Sequence, residues 1–265
     1  MTTHQLQARD LTVGYGERTV LRQLELEIPP GEVTVIVGAN ASGKSTLLHA
    51  LARLRRPQGG QVLLDGADIC RMPTVEVARI VGLLPQSPTA PEGLTVHDLV
   101  ARGRYPRQGW IRRWSPADEQ AVVRALELTD TVDLCDRPVD QLSGGQRQRV
   151  WIALSLAQET DLLLLDEPTT FLDMAHQIDV LELLRELNAG GVTIVMVLHE
   201  LNQAARYADH LVALKDGAIV TQGPPSVVMH EQLVQDVFGM AAHVMTDPVS
   251  GAPLVIPLGR HAAAR

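Results

Sequence analysis

The stretch GANASGKST, residues 38–46, constrains this chain more than any other. It stands between an apolar run, residues 33–37, and a run with helical spacing through Leu47, Leu48, Ala50 and Leu51. Gly38, four further residues and then Gly43-Lys44-Ser45 make the phosphate-binding loop pattern, which requires a strand before it and a helix after it. In that setting the backbone of Gly38, Ala39, Asn40, Ala41, Ser42, Gly43, Lys44, Ser45 and Thr46 cradles phosphate oxygens at a helix N-terminus. Lys44 reaches the β- and γ-phosphates, and the Ser45 hydroxyl ligates magnesium. Ala41 stands where such loops more often carry another glycine; it fits on the expectation that its backbone stays at negative φ.

The pattern around this loop is α/β. Residues 6–13 and 24–28 alternate as strands do, and a Pro-Pro-Gly turn at 29–31 leads into the apolar run. Pro57 to Gly60 is expected to close the helix after the loop. From about residue 89 to 158 helical spacing dominates, punctuated by Pro106, Pro116 and Pro138 and by the basic-aromatic stretch RGRYPRQGWIRRW at 102–114. Alternation then returns: a strand at 162–165, a helix at about 175–188, a strand at 192–198 and a helix at about 201–207. Asp216-Gly217 between two short strands signals a hairpin. The chain reads as an α/β core split by a helical insertion, with a tail after about residue 240. In the tail, HVMTDPVSGAPLVIPLG suggests strand-turn-strand, either packing on the core or mediating contacts.

A second stretch, LDEPTTFLD at 165–173, ends a run of leucines in two adjacent carboxylates. Beside a phosphate loop, an apolar strand ending in Asp166 supplies the metal side of a magnesium–nucleotide site. Glu167 is then placed to orient or deprotonate a water in line with the γ-phosphate. A third stretch, Leu142-Ser143-Gly144-Gly145-Gln146, opens a helix with an apolar stripe through Val150, Ala153, Leu154 and Ala157. Ser143 is a plausible N-cap, and two glycines leave the first N–H groups open to an anion. A second anion site in a chain that already has one is most simply explained by a nucleotide held on another copy.

Together these three stretches resemble the ATP-binding subunit of ABC transporters, over roughly residues 5–235. The resemblance implies a P-loop NTPase core with a mixed sheet, an antiparallel β subdomain at the N-terminal side and an inserted helical subdomain. It divides the chain into an ATP-binding domain, 1–240, with a core lobe of 1–88 and 159–240, a helical subdomain of about 89–158, and a tail, 241–265. It also implies ATP and Mg2+, and a head-to-tail pair in which Ser143, Gly144, Gly145 and Gln146 of one copy meet the other's nucleotide. By the same resemblance Tyr15 stacks on adenine and Gln86 senses magnesium and the membrane partner. Asp173 links the two sites, and His199 hydrogen-bonds the γ-phosphate. Phe171 departs from the small or polar residue usual at its position. The catalytic set is thus Glu167, His199, Lys44 and Gln86, and the metal set Ser45, Gln86 and Asp166.

Longer phrases, among them ARGRYP, HQIDVLELLRELN and LHELNQAARYADHL, are similar to ATPases of bacterial iron(III)-siderophore importers, a group that shades into haem and vitamin B12 importers. The implied partners are transmembrane permease subunits and, indirectly, a substrate-binding protein, at the cytoplasmic face of the inner membrane. The formal charge of −8 argues against a nucleic-acid partner. A soluble ABC ATPase acting on ribosomes or DNA usually has two nucleotide domains or a long coiled-coil insertion, and neither pattern occurs in these 265 residues. A P-loop kinase has no use for the Leu-Ser-Gly-Gly-Gln stretch. Cys70 and Cys135 are lone thiols, expected in a reducing compartment. No secretory signal opens the sequence, and its apolar runs are too short to span a bilayer.

Overall fold

The computed structural model describes residues 3–108 and 114–259. Part of the basic-aromatic stretch, residues 109–113, and the terminal alanines lie outside the described residues. The described chain forms two compact units, one of residues 5–70 and 195–259, the other of residues 71–194 with the short segment before Gln5.

The first unit contains an antiparallel sheet ordered Arg18–Ile28, Leu6–Tyr15, Gly59–Leu64, Ala67–Asp68. Its core face is set by pairs such as Leu6 with both Ile28 and Leu64. The strand Val33–Gly38 is buried at every position, as a strand covered on both faces must be. It runs parallel to His210–Lys215, which is antiparallel to Ala218–Gly223, so the pairing here is mixed. Asp216 and Gly217 both have positive φ, 49° and 81°, the geometry a two-residue hairpin turn demands. The helix Lys44–Leu51 follows the loop and ends before Pro57; Ala52 caps it, earlier than the expected Pro57–Gly60 stop. The tail does form strand-turn-strand, Ala242–Thr246 paired with Pro253–Pro257.

In the second unit the strands Val81–Leu84 and Leu162–Asp166 pair in parallel, Val81 opposite Leu162 and Leu84 opposite Leu165. The helix Thr74–Ile80 and the strand after it had no clear sequence signal. Four residues containing Gly82 are too few to show a period, and a Cβ at Gly82 would lie 2.6 Å from Thr160 Oγ1. The helical segment comprises Val96–Ala101, Pro116–Leu128 and Gly144–Ala157. Pro116 does not interrupt this segment but starts a helix, at the first turn behind a Ser115–Asp118 capping box. The helix Met174–Ala189 follows the carboxylate stretch. Thr193–Val197 carries the chain from the second unit back into the first. Among the described residues no helix is long and apolar enough to cross a membrane.

Candidate functional site

The expected site residues divide between the two units. Tyr15, residues 38–46 and His199 belong to the first; Gln86, residues 143–146, Asp166, Glu167 and Asp173 belong to the second.

In the first unit the loop is held open by its own glycines. A Cβ on Gly38 would stand 2.3 Å from Leu214 O, and one on Gly43, at φ 105°, would stand 2.7 Å from Leu21 Cδ2. The buried Lys44 donates from Nζ to the Gly38 and Ala39 carbonyls at 2.9 and 3.0 Å. That folds the ammonium back over the loop's mouth. Ser42 Oγ is buried and, among the described residues, has no hydrogen-bond partner. A buried hydroxyl left this way costs free energy unless a ligand completes it. An ammonium, an unfilled hydroxyl and a helix N-terminus at Gly43 make a cradle that fits phosphate oxygens. Ser45 is half-buried and Thr46 buried, while Asn40 and Ala41 are exposed.

Ala41 corrects the expectation made for it: its φ is +63°, not negative. The loop needs a left-handed residue there, and alanine adopts that conformation at a cost of about 1–2 kcal/mol. Two anchors that the sequence did not reveal hold the loop from outside. The Gly217 N–H donates to Ser42 O at 3.1 Å, and the Arg22 N–H donates to Gly217 O at 3.2 Å. The Asp216-Gly217 turn was legible as a hairpin, but not as a buttress.

Tyr15 is half-exposed at the end of its strand, with the Arg55 guanidinium 4.0 Å from its ring centroid. Arg55 was not anticipated. His199 is exposed just past the buried run ending at Leu198, whose N–H donates to Ile36 O at 3.3 Å. That bond brings the chain entering His199 alongside the strand entering Gly38.

In the second unit the helix Gly144–Ala157, the signature helix that the Leu-Ser-Gly-Gly-Gln stretch opens, starts as its sequence suggests. Ser143 is the N-cap: its Oγ accepts from the Gln146 N–H at 3.2 Å, and Gln146 Oε1 accepts from the Ser143 N–H at 3.1 Å. Cβ atoms placed on Gly144 and Gly145 would meet Phe171 Cβ and Leu172 Cδ2 at 3.5 Å, ordinary contacts. Packing within this chain therefore does not require glycine at either place.

Asp166 is fully buried at its strand end. Glu167, also buried, has φ +56°, so the backbone changes hand between the two carboxylates. Left-handed backbone at a non-glycine residue is a strained conformation of the kind that clusters at functional sites. Thr170 Oγ1 donates to Glu167 Oε2 at 3.2 Å. Gln148 Nε2 donates to Pro168 O at 3.0 Å and ties the signature helix to this turn. Neither residue was singled out from sequence.

Phe171 is also left-handed, φ +66°, with 72% of its surface exposed. Asp173 caps the helix Met174–Ala189 by accepting from the His176 N–H at 3.0 Å. That bond first, and then the His176 ring, holds the Asp173 carboxyl below its ordinary pKa. Gln86 lies on an exposed loop after Leu84. The donors assigned to a cation, a serine hydroxyl, an amide and a carboxylate, are all hard oxygens that suit Mg2+, which is commonly bound through one or two carboxylates plus substrate phosphates. Among the described residues no three His, Cys, Asp or Glu side chains gather as a metal cage.

The ABC transporter family matches residues 21–170. The siderophore transport system ATP-binding protein YusV of Bacillus subtilis, named as probable, is 59% identical over 94% of this chain and 91% of its own length. The ferric enterobactin transport ATP-binding protein FepC of Escherichia coli is 54% identical, over 97% and 95%. A bacterial ABC transporter cassette solved as a dimer superposes with a TM-score of 0.75 at 28% identity, covering 83% of this chain and 98% of that one. The loop, signature and carboxylate strand described above lie within or beside the matched span, and the chain belongs to the ATP-hydrolysing, ATP-binding proteins of ABC transporters.

Proposed function

We propose that this chain drives import of iron(III)-siderophore complexes. The observation that carries the cargo class is the 59% identity, across nearly the whole chain, to a protein named for siderophore transport. Two copies close head-to-tail around two nucleotides, docked through Gln86 and the helical segment at about 89–158 to permease subunits at the cytoplasmic face of the membrane. A substrate-binding protein takes part indirectly, and nucleic acid does not.

Each residue then has a task. Tyr15 stacks on adenine. The N–H groups of residues 38–46 and the Lys44 ammonium bind the β- and γ-phosphates. Ser45, Asp166 and Gln86 would hold Mg2+, which would supply charge neutralisation at the phosphate oxygens. Glu167 takes a proton from the attacking water, His199 donates to the γ-phosphate, and Asp173 links the two sites. Ser143, Gly144, Gly145 and Gln146 face the other copy's nucleotide. The buried Ser42 hydroxyl, which has no partner among the described residues, and the unneeded bareness of Gly144 and Gly145 support this reading.

The test is uptake by cells lacking this chain, offered labelled ferric siderophore, haem and cobalamin in parallel. Loss confined to the siderophore is expected. Loss of haem or cobalamin uptake with siderophore uptake intact would overturn the cargo.

A further inference from the structure

We infer that the carboxy-terminal hairpin is a brace that positions His199, with Asn202 as its grip. This rests on the γ-phosphate role proposed for His199 above. The histidine is followed directly by Glu200 and the helix Leu201–Tyr207. Seven residues are too few for a helix to be stable alone, so its orientation is dictated by what it packs on. Glu200, the N-cap residue, makes no side-chain capping bond. The start of the helix, three residues from His199, is held instead by Asn202.

Both halves of the Asn202 amide go to one residue of the tail. Nδ2 donates to Val255 O at 3.2 Å, and Oδ1 accepts from the Val255 N–H at 2.7 Å. Val255 stands opposite Val244 in the hairpin. In an antiparallel pair a residue presents its N–H and C=O on the same side, so Val255 offers both to the helix. A primary amide supplies the matching acceptor and donor; a carboxylate supplies only acceptors. Apolar burial of Val255 and Ala242 in the hairpin and of Ala204, Ala205 and Tyr207 on the helix accompanies the grip.

The hairpin is itself tied back toward the phosphate loop. Glu231 Oε1 meets His243 Nδ1 at 2.6 Å and accepts from the Val244 N–H at 3.3 Å. Glu231 begins the helix Glu231–Phe238, and Lys215 Nζ donates to Asp236 O on that helix at 2.7 Å. Lys215 ends the strand that pairs with Val33–Gly38. A continuous path therefore runs from the phosphate-loop strand through His210–Lys215, the helix Glu231–Phe238 and the hairpin to the helix behind His199, all within one compact unit. The tail fixes where the histidine stands relative to the loop.

The test is steady-state ATPase kinetics of the full chain carrying N202A, N202D, H199A, or N202A with H199A, with thermal unfolding as a control on folding. N202A is expected to lower kcat about tenfold through misplacement of the histidine, with KM for ATP changed less than about twofold. N202D keeps the acceptor and falls between. In the H199A background, read at high enzyme concentration, N202A is expected to cost nothing further, because the two act as one unit. Wild-type turnover in N202A beside a crippled H199A overturns the brace alone. An equal loss in both backgrounds also overturns it, since that marks a general structural effect. Wild-type turnover in H199A overturns the histidine's role, and the brace with it.

Discussion

Arg104 and Asp118 form a buried ion pair, Nε to Oδ1 at 3.0 Å, that closes on the far end of the signature helix. The same guanidinium donates from Nη1 to Ala157 O, a carbonyl of that helix's last turn, at 2.7 Å, and to Glu159 Oε2 at 2.8 Å. Arg107 reaches the next carbonyls, Gln158 O at 2.8 Å and Glu159 O. Two of the three arginines of the RGRYPR phrase, Arg104 and Arg107, thus satisfy carbonyls that a helix C-terminus leaves open. Removing one partner of a buried pair strands the other, so R104A should lose about 3–5 kcal/mol of stability. R104L combined with D118N should lose less than R104L alone. Urea unfolding of the four proteins measures both.

Asp118 also gives the fold an acid-side signature. Its carboxyl is held below the ordinary range first by the Ser115 hydroxyl and then by Arg104, against the opposing effect of burial. The folded carboxyl binds its proton less tightly than the unfolded one, so acid favours unfolding. The stabilisation is fully present above the unfolded value of about 4 and is lost as pH falls through the lower folded value. The difference in unfolding free energy between wild type and D118N should therefore be constant near neutrality and shrink below about pH 4. A difference that grew in acid would contradict the assigned shift.

Gly217 should be irreplaceable. A Cβ there would stand 1.8 Å from Val20 O, against backbone that has no flexible end to move, and φ is +81°. The Gly217 N–H also supports Ser42 O. G217A must shift the hairpin turn and with it the phosphate loop. The expected result is a KM for ATP raised by about tenfold or more, together with a lower unfolding midpoint. G217A with wild-type KM would show that the turn does not brace the loop.

Ala41 offers the opposite case. Its left-handed backbone is exposed, and glycine adopts the same conformation without the Cβ penalty. Part of that gain is offset by the wider unfolded ensemble of glycine. A41G should raise stability by about 0.5–1 kcal/mol and leave ATP affinity within about twofold of wild type. Calorimetric unfolding and nucleotide titration check it.

What the sequence disclosed follows from which signals are local. The strand Val33–Gly38, the hairpin at Asp216-Gly217 and the N-cap at Ser143 rest on residues adjacent in the chain, so spacing shows them. The helix Leu201–Tyr207 and the strand-turn-strand of the tail were legible for the same reason. The strand Val81–Leu84 was not, because its four residues are stabilised by pairing with Leu162–Leu165, some eighty positions away. Arg104, Gln148 and Asn202 likewise act through partners distant in sequence, and nothing in their immediate neighbours marks them; Gly217 was legible as a turn, but not its bond to Ser42. The φ of Ala41 was misjudged because residue type was weighed before the loop geometry that overrides it.

Asp166 and Glu167 present the sharpest test of the proposed chemistry. The pair is adjacent and buried, and the backbone turns to positive φ at Glu167. If Asp166 faces the cation and Glu167 the attacking water, the two should fail differently. E167Q keeps shape and removes only the proton acceptor. It should bind ATP as wild type does, accumulate a closed dimer, and lose about 100-fold or more of its turnover. D166N should instead weaken the dependence of ATP binding on Mg2+, because an amide is a poorer ligand than a carboxylate for a hard cation. Size-exclusion chromatography with ATP, together with Mg2+ titrations of nucleotide binding, separates the two outcomes. E167Q with wild-type turnover would remove Glu167 from the mechanism, and D166N with unchanged Mg2+ dependence would remove Asp166 from the cation.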